Sequence, residues 1–147
     1  MNNDIDYVKS EQRFTQKHSF EGLCENEHCH PSDMDLLFSL GKGKGYIYGE
    51  SKAGNTQLPH AQYAILKDHV DDMWKGGTPC ILIIMQHNTE ASETVMEKDS
   101  IIREIYYGNG ERWRPLWEEK KSITLNEFWK KVVVPYQKGI GKLTQRL

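Results

Sequence analysis

The sequence predicts an α/β fold in which a mixed central sheet is flanked by helices. Three observations carry this expectation: two strand-forming runs joined by glycines at 35–48, a helix-periodic stretch at 59–74, and a nearly continuous apolar run at 79–86. A strand that is apolar at almost every position has no polar side to turn to water, so it implies a sheet covered on both faces.

Along the chain, Ser10 to Gln16 reads as a first helix with Phe14 facing inward, followed by an irregular stretch. Asp35 to Leu40 is an apolar run, Gly41-Lys-Gly-Lys-Gly45 tolerates positive φ, and Tyr46 to Tyr48 is rich in strand formers, so the segment reads as a β-hairpin. Pro59 suits a first helical turn. Tyr63, Leu66, Val70, Met73 and Trp74 then recur on one face until Gly76-Gly77 stops the helix. Pro79 to Gln86 is the buried strand. Thr94 to Met96 and Ile101 to Tyr107 read as further strands separated by a turn at 97–100, and 108–122 as a long connection. Thr124-Leu-Asn-Glu127 fits a capping box, with Leu125, Phe128, Trp129, Val132 and Val133 forming the apolar face of a last helix that Pro135 closes.

With 147 residues, 37% hydrophobic and 27% charged, the chain reads as a single domain over 1–147 whose last stretch, 136–147, is a basic and flexible tail. The longest apolar run, Ile81 to Met85, is far short of the ~20 residues a spanning helix needs, so no membrane partner is expected. The first residues lack a basic segment followed by an apolar one, so the expected location is cytoplasmic. The formal net charge is -2, which gives no general attraction for a polyanion; such a partner has to be held by a local patch. Charge is uneven: residues 1–35 carry eight acids against three bases, and residues 130–147 carry five bases and no acid.

Asp35 and, fifteen residues on, Glu50-Ser51-Lys52 lie across the hairpin. Side chains alternate along a strand, so Glu50 and Lys52 share a face, and antiparallel pairing brings Asp35 beside them. Two close carboxylates repel unless a cation lies between them, and hard oxygen donors suit Mg²⁺ or Mn²⁺. Such an ion polarises a phosphodiester while Lys52 orients water and offsets developing negative charge. Asp33 shares the period-two face of Asp35 and is also within reach of such a metal.

With these residues the chain resembles the PD-(D/E)xK nuclease superfamily, Asp35 matching the first acidic position and Glu50-Ser51-Lys52 the ExK element. The resemblance runs from about Ser10 to Gln86. It departs from the family pattern in having Met34 before Asp35, while Pro31-Ser32-Asp33 offers a competing acid two residues earlier with poorer spacing to Glu50. The resemblance implies a restriction-endonuclease-like core, catalytic Asp35, Glu50 and Lys52, the last as base or water-positioning group, and Mg²⁺ or Mn²⁺ held by Asp35, Glu50 and Ser51. It also implies a further acid from the preceding helix, Glu11 before Glu21. Gln62-Tyr63 is similar to a polar and aromatic pair of some branches, which makes Gln62 a nucleic-acid contact.

Other residues have two readings each. Lys42 and Lys44 at the hairpin tip are phosphate contacts or a solvated turn. Arg112 and Arg114, beside Trp113 and Trp117, grip nucleic acid or flank a small satellite core. Cys24, His28, Cys29 and His30 are of the types zinc prefers, but their spacing lacks paired knuckles, and a loop that happens to carry thiols and imidazoles is the plainer reading. Cys80 reads as a buried thiol.

The expectation is a metal-dependent endonuclease hydrolysing phosphodiester bonds in DNA, of resolvase-like or restriction and defence type, with a homodimer compatible with the small size. The rivals are a non-catalytic nucleic-acid- or protein-binding module that keeps the nuclease fold, and a zinc-stabilised interaction domain.

Overall fold

Alternation between glycine-rich turns and strand formers resolves into a five-stranded sheet. The computed structural model describes residues 34–114 and 122–147, all within the compact unit Ser32–Leu147. Strands β1 (Leu36–Ser39), β2 (Tyr46–Ala53), β3 (Cys80–His87), β4 (Ile101–Gly108) and β5 (Glu111–Trp113) lie side by side in chain order. Pairing is antiparallel except between β2 and β3, whose parallel pairing is bridged by helix α1 (His60–Lys75). Parallel neighbours need such a crossover because a tight turn only reverses the chain.

The sheet separates two cores. On one face Leu66 and Val70 of α1, with Tyr63, Met73 and Trp74, pack on Tyr48, Cys80, Leu82 and Tyr106, as the helical periodicity predicts. On the other, Leu125, Phe128, Val132 and Val133 cover Ile47, Ile81, Ile83, Met85, Ile102 and Ile105. The burial of Cys80, Ile81, Leu82, Ile83 and Met85 of β3 between these layers accounts for its apolar run, and each large apolar side chain taken out of water contributes ~1.5–3 kcal/mol. The α/β class and the mixed sheet with flanking helices are therefore present. Among the described residues no helix is long and apolar enough to cross a membrane.

Three expectations need correction. Thr94 to Met96 forms no strand, since β3 already pairs with β2 and β4, and a 3-10 turn follows at Glu97–Asp99. The 108–122 connection contains β5. Its tight turn uses Asn109 and Gly110, both at positive φ (53° and 79°), the backbone that an Asn-Gly pair adopts readily. The last helix is not closed by Pro135. It runs as α2 (Leu125–Phe128), a π segment (Trp129–Val133) and α3 (Val134–Gln137). Proline has no N–H to offer the preceding turn and its ring crowds the carbonyl four residues back, so the helix widens ahead of it and continues. The capping box is formed as expected, Thr124 Oγ1 accepting from the Glu127 N–H at 3.2 Å.

The basic stretch 136–147 docks on the domain. The Tyr136 hydroxyl donates to the Lys44 carbonyl at 2.8 Å, Leu143 is buried, and Arg146 pairs with Glu111 and covers the Tyr107 ring. The predicted helix at 10–16 lies outside the described residues.

The hairpin turn is pinned against the start of β3. Gly45 has φ +95°, and a Cβ there would stand 1.9 Å from the Pro79 carbonyl oxygen. Gly43, also at positive φ, has open space around it. Gly45→Ala is expected to cost ~2 kcal/mol or more, as a strained and sterically blocked site, and Gly43→Ala ~1 kcal/mol, from conformation alone. Urea midpoints of the two variants check the order; equal losses would show that the Pro79 contact does not matter.

Candidate functional site

Register places the site. Leu36 stands opposite Gly49, so one step further Asp35 stands opposite Glu50 at the mouth of the hairpin. Opposed residues share a face, which brings Asp35, Glu50 and Lys52 together on the α1 side of the sheet. The Asp35 N–H donates to Glu50 Oε1 at 3.3 Å, and the Ser51 N–H donates to Asp35 Oδ2 at 2.9 Å. The Lys52 ammonium lies 3.3 Å from Glu50 Oε2 and 3.9 Å from Asp35 Oδ2.

Glu50 is the unusual member. Its side chain has no solvent exposure, whereas that of Asp35 is 38% exposed, and Oε2 lacks a hydrogen bond of good geometry among the described residues. Lys52 answers it as a charge. Burial, reinforced by the Asp35 charge, raises the Glu50 carboxyl above its ordinary value, and Lys52 and the Asp35 N–H oppose the rise.

Ser51 enters the site through its backbone. Its hydroxyl points to the opposite sheet face, where it donates to Glu97 Oε2 at 3.0 Å, and Ser100 donates to the same oxygen at 2.9 Å. Glu97 thus ties the 3-10 turn to β2 directly behind Glu50 and Lys52. As ligands for a divalent cation, Asp35 and Glu50 would supply two carboxylates as hard oxygen donors, the kind that Mg²⁺ accepts when water completes its shell. Among the described residues no three His, Cys, Asp or Glu side chains converge as a metal site.

The remaining candidates divide by position. Lys42 and Lys44 lie in the β1–β2 turn, at the opposite end of β2 from Glu50. Gln62 sits in the first turn of α1. Arg112 and Arg114 reach the α1 face from β5 and pair with Glu104. Glu11, Asp33, Cys24, His28, Cys29 and His30 lie outside the described residues, as does Trp117. Trp113 packs against the core that Leu125, Phe128, Val132 and Val133 cover, and not in a separate satellite core. Cys80 is buried and its thiol is pushed up to about 12 by burial, so it is an inert core residue.

Sequence reasoning missed Glu104, and with it the hydroxyl role of Tyr63, which it read as a helix-face aromatic. Glu104 is buried, accepts a hydrogen bond from the Tyr63 hydroxyl, and takes the Arg114 Nε at 3.1 Å. The signal was a lone carboxylate among Ile101, Ile102, Ile105 and Tyr106, since acids are almost never fully buried unpaired.

A folded pKa above the unfolded one means that the native state keeps a proton over a range where the unfolded chain has lost it. The stability this gives is complete below the ordinary value of 4.5 and is lost as pH rises through the raised one. In chelator-containing buffer, Glu50→Gln removes this dependence. Its urea midpoint is expected to gain on that of the native chain as pH rises from about 4 to about 8; a difference independent of pH would overturn the assignment.

No protein-family model, no curated protein and no solved structure matches the chain, so its functional reading rests on the chemistry of these residues.

Proposed function

We propose that the chain is a metal-dependent endonuclease of restriction-endonuclease-like fold that hydrolyses phosphodiester bonds, in DNA. The observation that carries this reading is the buried Glu50 carboxylate set between Asp35 and Lys52, its Oε2 met only by the Lys52 ammonium at 3.3 Å among the described residues. Isolated surface ion pairs contribute little to stability and have no need of a desolvated member. Burying a carboxylate is costly, and the cost is repaid where charge must be concentrated for chemistry.

Asp35 and Glu50 would hold Mg²⁺ or Mn²⁺, which supplies positive charge that polarises a phosphodiester and eases loss of a proton from water. Lys52 donates hydrogen bonds to the attacking water or a non-bridging phosphate oxygen and offsets the charge that builds on phosphorus. The Ser51 N–H holds Asp35 in place, while Glu97 fixes the Ser51 hydroxyl from the far face. Glu50 Oε1 receives the Asp35 N–H, so Oε2, 3.3 Å from the Lys52 ammonium, is the oxygen that would be offered to the cation. The strand β2 thereby carries ligand, backbone clamp and cationic group on three successive residues.

A second reading has one observation in its favour: Lys52 is within 4 Å of both carboxylates and already balances part of their charge. On that reading the chain is a binding module with an idle site.

A cleavage panel of duplex, single-stranded, flap and four-way-junction DNA, and of RNA, with Mg²⁺ or Mn²⁺ separates the two. Cleavage is expected with the native chain, and Lys52→Ala is expected to lower its rate ~100-fold or more, as for the loss of one placed electrostatic group. Asp35→Asn is expected to weaken Mn²⁺ binding in titration calorimetry, because a charged ligand is removed with its shape kept. Absence of cleavage on every substrate, together with unchanged Mn²⁺ affinity, would establish the idle site.

A further inference from the structure

Glu50 stands opposite Ile84, and Ile84 opposite Glu104, so one row crosses three strands on the face that α1 covers. Neighbouring strands are ~4.8 Å apart, which sets Glu104 ~10 Å from Glu50. A second row follows: Lys52 stands opposite Gln86, and Gln86 Oε1 accepts from the Arg103 Nε at 2.5 Å. Arg103 reaches this face because the register shifts between Ile84 and Met85, placing one extra residue on β4. Arg112, opposite Tyr106, and Arg114 two residues on complete the array from β5.

Glu104 is the anchor. Its Oε1 accepts from Tyr63 and lies 3.9 Å from an Arg112 nitrogen, and its Oε2 lies 3.1 Å from two nitrogens of Arg114. The carboxylate is buried, but Arg112 and Arg114 are 46% and 58% exposed, so their outer N–H groups face solvent. Lys67 lies 4.5 Å above the Tyr63 ring and 5.8 Å from that of Tyr106, beside the same pair. Two guanidinium groups thus flank one buried acid, with Lys67 over the adjoining tyrosine ring, while Asp71 accepts from the Tyr106 hydroxyl beside them. The two arginines exceed the charge of Glu104 by one on a chain of net charge -2, and their guanidinium forks match phosphate oxygens.

We propose that Arg112 and Arg114, organised by Glu104 and Tyr63, with Lys67 beside them, form a phosphate subsite for a polynucleotide strand that runs from the Asp35–Lys52 cluster past the first turn of α1 to β5, with Arg103 beside its path. The inference rests on the phosphodiester substrate proposed above and adds where the strand lies. The subsite lies three strand spacings, ~14 Å, from β2. The path runs away from the hairpin tip and makes Lys42 and Lys44 secondary.

Fluorescence anisotropy with labelled duplex and single-stranded DNA, in chelator so that substrate survives, tests this over a series of salt concentrations. Arg112→Ala with Arg114→Ala is expected to weaken binding at least tenfold and to lower the slope of log affinity against log salt by ~1–2, given ~0.7–0.9 per phosphate contact. Because Glu104 would then be buried without its cations, the same pair is also made with Glu104→Gln, which keeps a partner for Tyr63. Lys67→Ala removes a cation outside that network and is expected to lower the slope by less than ~1. Lys75→Ala, on the last turn of α1 and 75% exposed, is the charge-matched control.

An unchanged slope in all the arginine and Lys67 variants overturns the subsite, as does a slope that falls only when Lys42 and Lys44 are removed. Tight native binding that depends on the arginines, without cleavage of any substrate, upholds the subsite and removes the nuclease reading. Cleavage that persists with native KM in the arginine variants does the reverse.

Discussion

A carboxylate shut off from solvent has to be answered by positive charge, and the placement of Glu50 in β2 makes that demand at the centre of the molecule. Lys52 answers it from two residues along the same strand, a spacing that only an extended chain puts on one face. The Asp35 N–H answers it from the neighbouring strand. The hairpin therefore has to close in one register, since a slip of one residue would turn Glu50 and Lys52 into the opposite core. The Gly45 approach to Pro79 and the bonds of Glu97 to Ser51 and Ser100 hold that register from the two ends of β2.

Two cations on different strands perform the same physical task. Lys52 balances Glu50, and Arg114 balances Glu104, each across a surface of the sheet that α1 keeps partly dry. They differ in the partner left over. Glu104 has all its oxygens engaged and behaves as a structural anchor, whereas Glu50 keeps one oxygen without a good hydrogen bond. That asymmetry separates a carboxylate that organises neighbours from one poised to take a further ligand.

Much of this was legible in residue spacing. The hairpin, the amphipathic face of α1 and the apolar run of β3 follow from periods of 2 and 3.6, and the grouping of Asp35, Glu50 and Lys52 follows from alternation across a short turn. What was not legible depends on contacts between distant segments. The extra residue at Arg103 changes the register within β4, and no local pattern announces it. Pairing of Arg112 and Arg114 with Glu104 needs β5, whose three residues are too few to show a period, although Asn109-Gly110 marks the turn before it. The π segment ahead of Pro135 runs against the usual reading of proline as a helix stop, because tertiary packing of Val132 and Val133 rewards continuing the helix.

Asp35 and Glu50 belong to parts of the fold with different opening costs. Glu50 lies in an eight-residue strand paired on both sides, and Asp35 precedes a four-residue strand that, among the described residues, has a neighbour on one side only. Opening of that edge removes one carboxylate, the 2.9 Å clamp from Ser51 and the Leu36 and Phe38 contacts with one core, while the core under α1 keeps its buried members. Of the two carboxylates, Asp35 therefore sits on the element with the lower cost of local opening. Any ligand that bridges the two carboxylates draws part of its apparent affinity from the cost of keeping that edge closed, and slows amide hydrogen exchange in β1 before it alters exchange in β3.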